Sequence, residues 1–121
     1  MLYYQRGSER EALTTEDLRE GLFTALDRMG KRSKVLAIPP DYTRKHSFAG
    51  PLTGLAEEYY GPSLTDVLPA LGTHVPMSAK EIRDMYPEVP EDKFRVHNWR
   101  EDIHTLGEVP GTYVSEVSGG I

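Results

Sequence analysis

The chain contains no cysteine, so disulfide staples and thiolate metal centres are excluded, and nothing in it speaks for an oxidising compartment. It also lacks long apolar runs. No segment approaches the roughly 20 residues of a membrane-spanning helix, and Met1-Leu2-Tyr3-Tyr4-Gln5-Arg6-Gly7-Ser8 has no apolar stretch of the kind a secretory signal carries. Basic excess is missing as well: 14 Lys and Arg stand against 19 Asp and Glu, a formal net charge of -5. A surface built to neutralise phosphate backbones has the opposite balance. The expectation is a cytoplasmic protein with neither nucleic acid nor membrane as partner.

What is present fits one domain. The 121 residues, 38% of them hydrophobic, suffice for a single core and not for two. Helical and strand patterns alternate without internal repeats. This predicts an α/β fold with a mostly parallel open sheet and crossover helices, Rossmann-like in class, over residues 14–121, after a lead segment at 1–13.

The first helix starts at Thr14 or Thr15, carries Glu16 and Asp17 in its first turn, aligns Leu18, Leu22, Leu26 and Met29, and stops at Gly30. Val35 to Ile38 then reads as a central parallel strand, apolar on both faces. Pro51 opens a crossover helix with Leu52, Leu55, Ala56 and Tyr59 on one side. Leu64 to Leu71 reads as the next strand, with Pro69 marking a bulge or an edge. Ser78-Ala79-Lys80-Glu81 matches a capping box, and Pro87 closes the helix it begins. Lys93 to Val96 and Thr112 to Val117 alternate like two further short strands. An exposed last strand is a pairing edge, which gives a homodimer or a partner chain as an expectation.

Two of these strand ends carry polar groups, and the carboxyl ends of strands are where open α/β sheets bind ligands. After Ile38-Pro39-Pro40 come Asp41, Tyr42, Thr43 and Arg44: a carboxylate, a hydroxyl and a guanidinium able to hold a sugar hydroxyl, a phosphate or a carboxylate. A solvated turn is the alternative. After Ala70-Leu71 come Gly72, Thr73 and His74. Glycine lets a ligand approach the backbone, threonine can donate to an anion, and histidine suits proton transfer near neutrality. A structural turn histidine is again the alternative. His97 and His104 lack the spacing of a zinc site, Trp99 reads as a packing residue, and His46 as an exposed loop residue near Arg44.

Taken together, Ile38-Pro39-Pro40-Asp41-Tyr42-Thr43-Arg44, Ala70-Leu71-Gly72-Thr73-His74-Val75-Pro76-Met77-Ser78 with Glu81, and Val96-His97-Asn98-Trp99-Arg100 resemble, in this order, the N-terminal domain of the nickel-dependent lactate racemase family. The resemblance covers roughly residues 15–117, the N-terminal domain of a larger two-domain architecture. It implies a nickel pincer nucleotide that accepts the α-hydride of a 2-hydroxy acid and returns it to either face. It further implies that Asp41, Thr43, Gly72 and Thr73 lie at the cofactor, that Arg44 holds the substrate carboxylate, and that His74 is one of two histidines exchanging the hydroxyl proton.

Val75 stands where the family commonly has a basic residue, and Asn98 where it has an aspartate. The second histidine, the cofactor-tethering lysine and the nickel-binding histidine have no counterpart among His97, His104 and the five lysines. The isolated chain is therefore expected to be inactive, to bind no cofactor tightly, to hold no metal, and to need a missing C-terminal portion or partner subunit. The competing expectation is a non-catalytic α/β module that binds a nucleotide or small carboxylate.

Overall fold

A computed structural model describes residues 1–120; Ile121, the end of the expected α/β unit, lies outside the described residues. Thr14 starts the first helix, α1 (Thr15–Met29), as a capping box. Its hydroxyl accepts from the Asp17 amide while the Asp17 carboxylate accepts from the Thr14 amide, so two otherwise unpaired donors are satisfied. Gly30, at φ 81°, ends the helix. The lead segment makes no strand. Tyr4 lies against Gly21, where an added Cβ would sit 2.7 Å from its ring, and Arg6 pairs with Asp17 at 2.6 Å.

The sheet is small and parallel: β1 (Val35–Ala37) beside β2 (Leu64–Val67), connected through α2 (Ala49–Tyr60). A bulge between Val35 and Leu36 shifts the register once, after which Leu36 pairs with Asp66 and Ala37 with Val67. β1 departs from expectation. Leu36 is 51% and Ile38 63% exposed, so the face they share is open to solvent while Val35 and Ala37 on the other pack half-buried against the core, and β2 is the one partner of β1 among the described residues. β2 is the enclosed strand instead. Leu64 and Val67 are fully buried, and the amide of Arg95 donates to the Val67 carbonyl at 2.8 Å on the side away from β1.

Pro69, which has no N–H, ends the regular ladder before the expected Leu71. The two chains nevertheless stay together: the Ala70 amide donates to the Pro39 carbonyl at 2.8 Å, and Pro40 bridges to Ala70.

The core lies between β2 and the second and third helices. Leu64, Val67, Met85, Tyr86 and Val89 form its centre, with Val35, Ala37, Ala56, Tyr60 and Phe94 packed around them. The helix α3 (Ala79–Met85) begins with the expected capping box, Ser78 with Glu81. It approaches α2 closely because Gly50 presents no side chain: a Cβ there would overlap the Met85 carbonyl oxygen. Buried small residues, Gly50, Thr53 and Gly54, make this contact face of α2, rather than the leucine stripe alone.

Two expected strands take other forms. Pro90 leads into a 3-10 turn at Glu91–Lys93, and Phe94 then makes a single parallel bridge to Val67. Gly111–Val117 is a helix, α4. Tyr113, Val114 and Val117 fit a helical face as well as an alternating one, and Pro110 sets the turn that starts it. All three are exposed, so this segment offers a helix surface and not the strand edge on which the expected homodimer rests. Among the described residues, no helix is long and apolar enough to cross a membrane.

Candidate functional site

The bridge between Pro40 and Ala70 sets two chain exits side by side, and each exit turns at once. On the first, Asp41 caps a 3-10 turn (Tyr42–Ser47): its Oδ1 accepts from the Thr43 amide at 3.2 Å and from the Thr43 hydroxyl at 2.5 Å. On the second, the His74 amide donates to the Leu71 carbonyl at 3.0 Å, closing a turn through Gly72. Gly72 sits at φ 58°, a left-handed conformation that costs any residue with a Cβ. The result brings His74 to Asp41: Nδ1 of the imidazole lies 2.6 Å from Oδ2 of the carboxylate.

The two partners differ in environment. Asp41 is buried, at 5% exposure, whereas the His74 side chain is about half exposed. Burial pushes the Asp41 carboxyl up, but hydrogen bonds from Thr43 and His74 outweigh it and hold the group below the ordinary carboxylate range. Asp41 is therefore a charged, internally satisfied acceptor at neutral pH. Arg44 lies beside the pair, its guanidinium 3.4 Å from the Thr43 hydroxyl and otherwise open to solvent. Thr73 and Gly72 are exposed, with open space beside the Gly72 Cα.

The structure thus gathers Asp41, Thr43, Arg44 and His74 and leaves Gly72 and Thr73 on their rim. Oδ1 of Asp41 accepts from Thr43 and Oδ2 from the His74 imidazole, so both of its oxygens already have a partner within the chain. Thr43, Gly72 and Thr73 remain open to a nucleotide. His97 stands apart, with Nδ1 buried and without a hydrogen-bond partner among the described residues, and His104 is exposed. Among the described residues no three His, Cys, Asp or Glu side chains are grouped to hold a metal ion.

No family model matches the chain, and no curated protein matches it. Among solved structures, a Thermotoga maritima protein determined by the Northeast Structural Genomics Consortium is similar over 89% of this chain, at 28% identity and a TM-score of 0.64. The chain spans 27% of that protein's length. An arrangement like this one therefore occurs inside a much longer polypeptide.

Sequence reasoning missed Tyr86. Its ring is buried in the core at 1% exposure, and its hydroxyl donates to the Pro40 carbonyl at 2.5 Å, directly before Asp41. Burial, and after it the nearby Asp41 charge, pushes its pKa up to about 12. Nothing in the sequence marks this contact, which joins the end of α3 to the end of β1.

Outside the site, a groove of about 770 Å³ runs between α2 and α3, with Gly50, Gly54 and Met85 among its lining residues. Four charged residues at it form two pairs, Arg19 with Glu58 and Lys45 with Asp84. It does not reach Asp41 or His74.

Proposed function

We propose that this chain forms the acid/base and carboxylate-binding side of a site for a small 2-hydroxy acid, as the resemblance to the nickel-dependent lactate racemase family implies. The single observation that carries the reading is the convergence of Arg44 and His74 on Thr43 and the buried Asp41 at two adjacent strand ends. Arg44 suits a substrate carboxylate, which a guanidinium can hold through two parallel hydrogen bonds. His74 suits the substrate hydroxyl, whose proton it accepts at Nε2. Removing that proton weakens the adjacent C–H bond toward loss with its electron pair, so a base at this point assists isomerisation at the carbinol carbon.

In the family, a nickel pincer nucleotide receives that electron pair. No three His, Cys, Asp or Glu side chains are grouped among the described residues, and the reading assigns them no step on the metal; Thr43, Gly72 and Thr73 are the groups left to meet a nucleotide. The same reading extends the two-stranded sheet to a Rossmann-like open sheet completed by further polypeptide or a partner subunit, in a cytoplasmic protein.

The test is a titration of the isotopically labelled chain with L-lactate and with pyruvate, followed by NMR at the Arg44 and His74 side chains. Saturable shifts at both are expected, weakened about tenfold in Arg44→Gln, the worth of roughly one charge-assisted contact. Shifts elsewhere, or equal affinity in the variant, overturn the reading.

A second reading, the non-catalytic α/β module, is favoured by the open surface at His74, which lines none of the described cavities. Adding the remaining polypeptide and the cofactor separates the two. The enzyme reading expects enantiomer interconversion that His74→Gln abolishes, and the module reading expects none.

A further inference from the structure

We propose that Asp41 is a positioning residue, which fixes the His74 imidazole with its proton on Nδ1 and leaves Nε2 as the bare, outward basic nitrogen. The inference rests on the reading of His74 as the base and moves Asp41 from the cofactor to the histidine. A turn cap needs one carboxylate oxygen. Here Oδ1 accepts both Thr43 hydrogen bonds, and Oδ2 is reserved for a side chain 33 residues away on the other strand end. Capping alone leaves that second contact unexplained.

The direction of the proton follows from charge. Asp41 is ionised at neutral pH and has no proton to give, so the 2.6 Å contact requires Nδ1–H to donate. A neutral histidine has one N–H, which leaves the lone pair on Nε2. Burying a carboxylate is costly unless its charge is met by hydrogen bonds, and a structure that buries one against a half-exposed imidazole gains orientation of that ring.

Three hydrogen bonds fix the backbones that carry this pair. The Ala70 amide on the Pro39 carbonyl, the Tyr86 hydroxyl on the Pro40 carbonyl and the His74 amide on the Leu71 carbonyl hold both backbones on either side of the contact. The pair is thus preorganised, and a base whose ring need not turn before reaction loses less on reaching the transition state.

The experiment follows the imidazole ¹⁵N chemical shifts of the full chain with pH and reads the tautomer once they show a single ring N–H. The unaltered chain is expected to show His74 predominantly protonated at Nδ1. Asp41→Asn, whose amide can donate to Nδ1, is expected to shift the ring to predominantly Nε2–H. Thr43→Val removes the hydroxyl contact but keeps Oδ2, and is expected to retain the Nδ1–H form.

A predominantly Nε2–H ring in the unaltered chain overturns the proposal, as does an unchanged tautomer in a folded Asp41→Asn chain. If Asp41→Asn does not fold, the unaltered chain and Thr43→Val decide. The readout is the ring itself, with no turnover or substrate, so failure of the racemase reading leaves this result intact.

Discussion

The Tyr86 hydroxyl donates to the Pro40 carbonyl, tying the hydrophobic core to the residue directly before Asp41. One side chain thereby serves both packing and site geometry. Tyr86→Phe keeps the buried ring and removes only the donor, so a loss of about 1 to 2 kcal/mol is expected, the cost of one hydrogen bond and a carbonyl left short of its partner. Urea denaturation measures it. His74 resonances should broaden or shift in the same variant, and a change in stability with no change at His74 would separate core from site.

The phenol also predicts an alkaline limit. Its pKa in the folded chain, about 12, lies above its ordinary value, so folding favours the protonated form. This stabilisation is complete below pH about 10 and is lost as pH rises toward about 12. Denaturation midpoints across that window should fall, and should fall less steeply in Tyr86→Phe.

Asp41 predicts the acid limb with the opposite sign. Its pKa is lowered on folding, so its contribution is present above the ordinary carboxylate value and disappears as pH falls below about 4 and through the lower folded value. Asp17, Glu81 and Asp84 are held low by hydrogen bonds, led by those from Thr14, Ser78 and Lys45 respectively, and lose stability in the same direction. Asp41→Asn should flatten the acid limb of a stability profile measured by circular dichroism; slopes equal to the unaltered chain would show that the buried carboxylate contributes nothing there.

What could be read from the sequence was local. Thr14 with Asp17 and Ser78 with Glu81 are three residues apart, so their caps depend on nothing distant, and both helices begin where the spacing predicts. The strand-end positions of Asp41 and His74 were legible for the same reason. Their contact was not, because it joins residues 33 apart, and the Tyr86–Pro40 bond joins residues 46 apart. Exposure of Leu36 and Ile38 was equally hidden, since an apolar run specifies what a strand can bury against and not whether a neighbour is there. Thr112 to Val117 misled because its apolar positions satisfy both periods.

Gly50→Ala tests the closeness of α2 and α3. In an exposed helix interior this change stabilises by about 1 kcal/mol, but here the new methyl would overlap the Met85 carbonyl oxygen. A loss of about 2 to 4 kcal/mol is expected, in the range of overpacked cores. Thermal unfolding gives the sign, and a stabilised variant would show that the helices can separate freely.

The chain supplied with the nickel pincer nucleotide and lactate is expected to leave the enantiomers as they were. One histidine stands at the site, and no metal-holding group exists among the described residues. Chiral chromatography checks this, and measurable interconversion would require acid/base and metal roles for residues such as His97 or His46, to which the proposed function gives none.

The single register shift at the start of the sheet bears on how such a chain can change length over evolutionary time. The bulge absorbs one extra residue of β2, Thr65, opposite the step from Val35 to Leu36, and from Leu36 with Asp66 to Pro40 with Ala70 the two strands keep one constant offset. One residue gained or lost between Leu36 and Asp41, or between Asp66 and His74, slides carboxylate past imidazole and divides the pair, so these two short stretches are where the length of the chain is held fixed.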